Sequence, residues 1–361
     1  EEGRRKKEEG RRKKEEGRRK KEEGRRKKEE GRRKKEEGRI INTPQKHKGT
    51  KVEKKISQLP ITNYQLPITN YPLPITHYPL PMKNFWNEIL ELAETTAKRV
   101  GDHLLIDFGS ATADEKADGS LVTQSDTWAD QEIRDAIVSS FPSHGVLSEE
   151  GSHTFPDTEW CWIIDPLDAT TNFTRGIPIW GISLGLLYHG IPVFGYIHLP
   201  PLRQSYHGFL VTDKLTISAQ DVELFNNMPK GAFLNNQPIQ PTADNPSGNH
   251  FFNLCSRSVF LASHLPCKVR LLGMASYNFL TVASGAVIAG VEATPKVWDI
   301  AGSWVILHAV GGVWKLLNGE AMFPLEVGKN YGKKSYPSLV VSREELVSVF
   351  LPIVESLGKK S

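Results

Sequence analysis

With 361 residues, 39% hydrophobic and 24% charged, the chain has room for one large or two medium domains and a sizeable core. Its net charge of +4 is misleading, because residues 1–39 carry +9, residues 40–81 carry +4, and residues 82–361 hold 20 Lys and Arg against 29 Asp and Glu, a net −9. An acidic body argues against a nucleic-acid or anionic-membrane partner and suits a protein that gathers cations.

The chain opens with five copies of EEGRRKK and then EEGR, followed by QLPITNY twice and the related YPLPITH. Two unrelated repeats share a period of seven, yet EEGRRKK offers no apolar seam and places a glycine in every copy, so a coiled coil is not expected. Seven-base DNA repeats account for the period: GAAGAAG read through in triplets gives EEGRRKK, and CAATTAC gives QLPITNY. Residues 1–81 are therefore expected to be translated tandem-repeat DNA without a fold, with Met82 as the natural start. Glu dilutes every basic tetrad, which weakens a nucleic-acid role for this arm.

Cys161, Cys255 and Cys267 lie far apart with no C-x-x-C pair, so buried thiols in a reducing compartment are expected. The most apolar stretch, Ile177–Leu199, is broken by glycine, proline and histidine. The expectation is a soluble, unexported, cytoplasmic protein without a membrane partner.

Asn84–Phe108 sets Phe85, Ile89, Leu92, Ala93, Val100 and Leu104 at helical spacing behind a polar cap, predicting a long amphipathic helix. A turn-rich loop, ADEKADGS, leads to LVTQSD, which ends at Asp126 just before a helical run through Trp128, Ile133 and Ile137. Taken alone, Asp126 reads as an N-cap. Residues 141–145 form a turn, and Val146–Ser148 reads as a short strand ending in Glu149 and Glu150, which by themselves suggest a solvated edge.

The chain is organised around Trp162–Phe173, WIIDPLDATTNF. Ile163 and Ile164 deliver Asp165 to the end of a buried strand, Pro166 is expected to stop the ladder, and Asp168 follows before Thr170 and Thr171 open a turn or helix. Two carboxylates converge, the Leu167 carbonyl is free to act as a third oxygen ligand, and N–H groups at a helix start can face an anion. A bare D-x-x-D is otherwise an acidic loop with an Asx-type cap. Its weight depends on partners elsewhere.

Ile179–Leu187, Ile191–His198 and a run near Ser205–Phe209 read as an antiparallel meander. Within it, Gly181-Ile-Ser183-Leu-Gly185 matches the nucleophile-elbow pattern of serine esterases, but the strand runs straight on, so Ser183 reads as strand interior. Residues 214–246 are polar and irregular apart from Gly231–Leu234. From Phe251 onward, strands at Phe251–Leu254, Val269–Leu272 and Val287–Glu292 alternate with a helix through Phe279–Ala283, which suggests a second, α/β-like half. Trp298-Asp299 opens a helix closed by Gly311-Gly312, and Asp299 alone again reads as a cap. A strand at Leu339–Val341 and a helix at Arg343–Leu357 finish the chain. The expected division is an extension at 1–81, an N-terminal α+β half at 82–245 and a C-terminal α/β half at 246–361.

No H-E-x-x-H, P-loop, Cys/His zinc spacing or G-x-G-x-x-G is present, and the eleven histidines form no ligand pair. Five carboxylates, Asp126, Glu149, Asp165, Asp168 and Asp299, stand at strand ends or helix starts. DGSLVTQSD (Asp118–Asp126), SEE (Ser148–Glu150), WIIDPLDATTNF and WDIAGSWVILHAVGG (Trp298–Gly312) match, in order, the four signature segments of the inositol monophosphatase family. Between Met82 and Leu357 the chain resembles that family of magnesium-dependent, lithium-sensitive phosphatases.

The resemblance implies a layered α/β fold, a five-layer α/β/α/β/α sandwich, and two or three Mg²⁺ ions. Glu149, Asp165 and the Leu167 carbonyl would hold the first ion; Asp165, Asp168 and Asp299 would hold the second; a weaker third would lie near Glu149. Asp126 and Thr170 would orient and help deprotonate the attacking water, the Ala169 and Thr170 N–H groups would bind phosphate, and Asp168 and Glu292 would contact substrate. Hydrolysis of a small phosphate monoester follows, inositol 1-phosphate first, with histidinol phosphate, fructose 1,6-bisphosphate and 3′-phosphoadenosine 5′-phosphate as alternatives. Family members are often homodimers. Ala169 and Ser148 stand where the family usually has Gly, and Trp298-Asp299-Ile-Ala-Gly-Ser departs from its W-D-x-A-A-G. These departures put the rate at stake, and a weakly active relative acting as a binding protein is the rival reading.

Overall fold

The computed structural model describes residues 84–116 and 119–359. The repeats and Met82, with the expectations attached to them, lie outside the described residues. Helix α1 (Phe85–Asp107) starts where the Asn84 side chain accepts from the Trp86 N–H, and its buried stripe runs through Trp86, Ile89, Ala93, Ala97, Val100 and Leu104. Strands β1 (Ala113–Glu115) and β2 (Leu121–Thr123) pair antiparallel across what the sequence shows only as a loop. Helix α2 (Gln124–Ser140) corrects one expectation: its N-cap is Thr123, while Asp126 sits at the third position and returns a carboxylate to the Thr123 N–H.

A seven-stranded sheet follows, in the order β3 (Gly145–Ser148), β4 (Trp160–Asp168), β5 (Gly181–Tyr188), β6 (Ile191–Leu199), β7 (Gln204–Phe209), β8 (Gly231–Leu234) and β9 (Gln237–Pro238). Strand β3 runs parallel to β4 and every other pair is antiparallel. The expectation that Pro166 ends the ladder is overturned. Asp165 faces Ser183 and Asp168 faces Gly181, so three steps on β4 match two on β5 and the proline falls in a bulge, where its missing N–H costs no ladder bond. Between β4 and β5 lies the short helix α3 (Thr170–Thr174), and α4 (Val222–Asn226) interrupts the polar stretch read as irregular.

The second sheet has five strands, ordered β11 (Lys268–Arg270), β10 (Phe251–Leu254), β12 (Ala289–Glu292), β14 (Ser338–Val341) and β13 (Val313–Leu316). Strand β10 is parallel to both neighbours, and β14 is antiparallel to both of its own. Helices α5 (Ala275–Ala283) and α6 (Val297–Ala309) lie between the sheets. The C-terminal helix is interrupted, with α7 (Val347–Val354) flanked by 3-10 turns at Glu344–Leu346 and Glu355–Leu357. One apolar core fills the space between α1, α2 and the first sheet, a second the space around α5 and α6, and a third the outer side of the second sheet against Phe350 and Leu261. The layers are α/β/α/β/α. Among the described residues no helix is long and apolar enough to cross a membrane.

A glycine seam sets the depth of α6. Gly185 and Gly195 face each other across β5 and β6, and a Cβ at Gly185 would lie 2.8 Å from Ala301 Cβ, one at Gly195 2.9 Å from Gly302 Cα. The helix therefore rests on bare backbone. Gly185 of the elbow-like pattern serves this packing, and Ser183 is fully buried, its hydroxyl donating to the Trp298 carbonyl at 3.3 Å.

Candidate metal centre

The β4 bulge turns Asp165 and Asp168 to one point, and α6 brings Asp299 there from its first turn. Carboxylate oxygens of these three residues lie within 4.8 Å of one another, the one such group of metal-ligand type among the described residues. Glu149 enters from the end of β3, its N–H tied to the Ile164 carbonyl at 3.1 Å. Together with Leu167, Ala169 and Thr170, these four acids line a cavity of about 420 Å³. A larger cleft of about 520 Å³ between α1 and β6–β7 holds none of them.

Asp165, Asp168 and Asp299 each have a backbone anchor for the carboxylate, while that of Glu149 meets the Lys116 ammonium. Leu167 N–H donates to Asp165 Oδ1 at 3.1 Å, and Lys296 N–H donates to Asp299 Oδ2 at 2.6 Å. Asp168 Oδ2 accepts from the Ser276 N–H at 3.0 Å, so it caps α5 from a distance of 108 residues in sequence. These bonds fix direction but leave the charge uncompensated. Burial first, then repulsion from the neighbouring acids, holds Asp165 and Asp299 well above the ordinary carboxylate range. Burial also raises Asp168 and Glu149, against the N–H bonds at the first and the Lys116 ammonium at the second.

Beside the acids stands a hydroxyl–carboxylate pair. Thr170, the first residue of α3, donates its hydroxyl to Asp126 Oδ1 at 2.9 Å and lies 3.2 Å from the Leu167 carbonyl. Asp126 is buried, and its second oxygen takes the Thr123 N–H at 2.7 Å and hydroxyl at 2.5 Å. Burial raises its pKa, and the Thr123 and Thr170 bonds oppose the rise. Ala169, between the Asp168 carboxylate and α3, adopts φ 73°, ψ 49°, the left-handed region.

Thus Glu149, Asp165, Leu167, Asp168, Ala169, Thr170 and Asp299 share one cavity, with Asp126 one hydrogen bond behind it. Glu292 is apart: at the end of β12 it is buried, accepts from Asn278 Nδ2, and does not line the cavity. Burial lifts its pKa to about 7. Sequence reasoning missed Lys116, whose ammonium lies 3.0 Å from Glu149 and 2.5 Å from Glu150. Its sole signal was a lone cation in an acidic loop.

The donors are all oxygen, with no sulfur or imidazole, which fits a hard divalent cation, and crowded buried acids are the charge arrangement such an ion relieves. Residues 86–347 match the family model described as "Inositol monophosphatase family". The chain is 26% identical over 279 residues to a Thermotoga maritima protein named fructose-1,6-bisphosphatase/inositol-1-monophosphatase, covering 75% of this chain and 99% of that one. It is 27% identical over 250 residues to a Mycobacterium tuberculosis histidinol-phosphatase, covering 64% and 88%. Its fold is that of a Thermotoga maritima IMPase (TM-score 0.62, 23% identity, 76% and 99% covered) and of an IMPase/NADP phosphatase solved with NADP and Ca²⁺ (0.61, 21%, 74% and 95%). The chain therefore belongs to the inositol monophosphatase family and is a phosphoric monoester hydrolase.

Proposed function

We propose that the protein hydrolyses a small phosphate monoester with Mg²⁺ as its cofactor, and that inositol 1-phosphate is the first substrate to try. The observation that carries this reading is the meeting of Asp165, Asp168 and Asp299 within 4.8 Å beside the Thr170–Asp126 pair. Glu149, Asp165 and the Leu167 carbonyl would hold one ion, and Asp165, Asp168 and Asp299 another, with a weaker third near Glu149. Bound there, Mg²⁺ would supply the positive charge that phosphoryl transfer needs on the attacking and leaving sides.

The chain's own residues do the rest. The Thr170 hydroxyl donates its hydrogen bond to Asp126, which leaves the hydroxyl oxygen free to accept a proton from water as its own proton passes to the Asp126 carboxylate. The Thr123 bonds hold Asp126 in that orientation. The Ala169 and Thr170 N–H groups are assigned to the phosphate, and Asp168 to a substrate hydroxyl. Glu292, off the cavity and bonded by Asn278, would reach substrate only after turning away from that partner. No protein nucleophile is required.

Relatives named for fructose bisphosphate, inositol phosphate and histidinol phosphate supply three of the four esters to be tried. Phosphate release by the purified chain is to be measured on inositol 1-phosphate, histidinol phosphate, fructose 1,6-bisphosphate and 3′-phosphoadenosine 5′-phosphate, with Mg²⁺, with EDTA and with added Li⁺. Mg²⁺-dependent release, strongest on one ester, is the expected result. Silence on all four by a folded, Mg²⁺-binding protein would overturn it and favour a binding role.

A further inference from the structure

Helix α2 presents Asp126, Asp130 and Arg134 at spacings of four, one above another on the same face. Asp126 holds Thr170. One turn on, the buried Asp130 carboxylate accepts the hydroxyl of Ser148, the last residue of β3, with its other oxygen 2.9 Å from Arg134 Nη2. Arg134 in turn lies against Gly151, where any side chain would collide with its guanidinium. The turn between these two grips carries Glu149 and is closed by the Ser148 N–H on the Ser152 carbonyl at 3.1 Å.

We infer that Asp130 is a positioning residue for Glu149, acting through the Ser148 hydroxyl, and that α2 thereby registers the Thr170–Asp126 pair against this metal ligand. The inference rests on the proposed reading of the cavity as a Mg²⁺ site. Ser148 is fully buried at the root of Glu149, so the place where its hydroxyl is tied bears on the direction in which that carboxylate leaves the strand, together with the Glu149 N–H on the Ile164 carbonyl and the Lys116 ammonium 3.0 Å from the carboxylate. Asp165, Asp168 and Asp299 have backbone anchors of their own and do not depend on this link. Loss of the link therefore loosens one ligand and spares three. It also explains how serine is accommodated before the acidic pair: its hydroxyl has a built, charged acceptor.

The test compares Mg²⁺ binding to the full chain by calorimetry, in the absence of substrate, for wild type, Ser148→Ala, Asp130→Ala, Asp130→Asn and the double alanine variant. Thermal unfolding of each establishes that it is folded. Ser148→Ala and Asp130→Ala should each weaken Mg²⁺ binding about tenfold, the usual effect of removing a group that orients a metal ligand. The double variant should be no worse than the weaker single. Asp130→Asn, which keeps an acceptor for Ser148, should stay nearer to wild type. Wild-type affinity in a folded Ser148→Ala would overturn the inference, as would additive losses in the double variant. If Asp130→Ala fails to fold, the smaller change at Ser148 still decides. Wild type that binds no Mg²⁺ overturns both this inference and the proposed function. Wild type that binds Mg²⁺ but releases no phosphate overturns only the latter, and the binding constants still decide the former.

Discussion

Ala169 is where a single methyl group meets the proposed chemistry. Its φ of 73° costs an alanine about 1–2 kcal/mol relative to glycine-like freedom. Glycine would relieve that strain, but it would add unfolded-state entropy of about 0.4–1 kcal/mol and remove a methyl that packs against two cores. The opposing effects nearly cancel, so Ala169→Gly should move stability by less than about 1 kcal/mol. Phosphate release is the sharper readout, and it should be preserved or raised. A large loss would show that the phosphate loop is misplaced. At this scale the acids of WIIDPLDATTNF were legible because short sequence spacing forces them together. Asp126 was half legible: a carboxylate at a helix start is visible, but whether it is the cap or the third residue depends on the Thr123 bonds. Lys116 and Asp130 were not legible. Their partners lie 33 and 18 residues away, across a loop and a helix face that only the fold brings together.

Helix α6 is the element that joins structure to site, since its first turn carries Asp299 and its middle rests on the glycine seam. Gly195→Ala would push a Cβ into the Gly302 backbone, and the helix must lift or the sheet must bend. Overpacking of this kind costs about 1–3 kcal/mol. The displacement should travel to Asp299, because a helix moves as a rigid body. The expected outcome is a lowered melting temperature together with weakened Mg²⁺ binding, with Gly248→Ala, exposed and free of neighbours within 4 Å, as the neutral control. Loss of stability with unchanged binding would separate the seam from the site. The elements themselves were largely readable from apolar periodicity, as in α1 and the β5–β7 meander. Strand β13 was missed because Gly311-Gly312 reads as a helix stop and hides the strand that follows at once. The bulge in β4 was missed for a related reason: a proline announces its missing N–H, while the register of the facing strand decides whether the ladder ends or skips.

For the whole molecule, the carboxylate cluster lies where the first sheet meets the two central helices, with Asp168 capping α5 and Asp299 not the cap of α6 but its third residue, bonded back to the Lys296 N–H. Its charge therefore bears on the stability of the entire sandwich. Asp165, Asp168, Asp299 and Glu149 all have folded-state pKa values raised by burial above those of the unfolded chain, about 4, and Glu150 is raised to about 7. A raised acid binds more protons folded than unfolded, so its contribution is fully present below the unfolded pKa and is lost as pH rises through the folded one. Burial lowers His144, His198, His207 and His308, whose contribution to stability therefore grows with pH up to about 6.5, the unfolded value, so the metal-free protein should lose stability once pH rises beyond that point and only the acids still titrate. Mg²⁺ reverses the sign of the argument, because it binds the ionised acids and competes with their protons. At one hundred times its dissociation constant it should add about 2.7 kcal/mol, worth several degrees in a molecule of this size. Melting curves at pH 5, 6.5 and 8, with EDTA and with saturating Mg²⁺, test this directly. The Mg²⁺ shift should grow with pH while the EDTA curve falls between pH 6.5 and 8. A metal-free protein that becomes more stable from pH 6.5 to 8 would mean that the acids are compensated by groups other than a metal ion, Lys116 foremost, and the cavity would then lose its strongest claim to be a metal site.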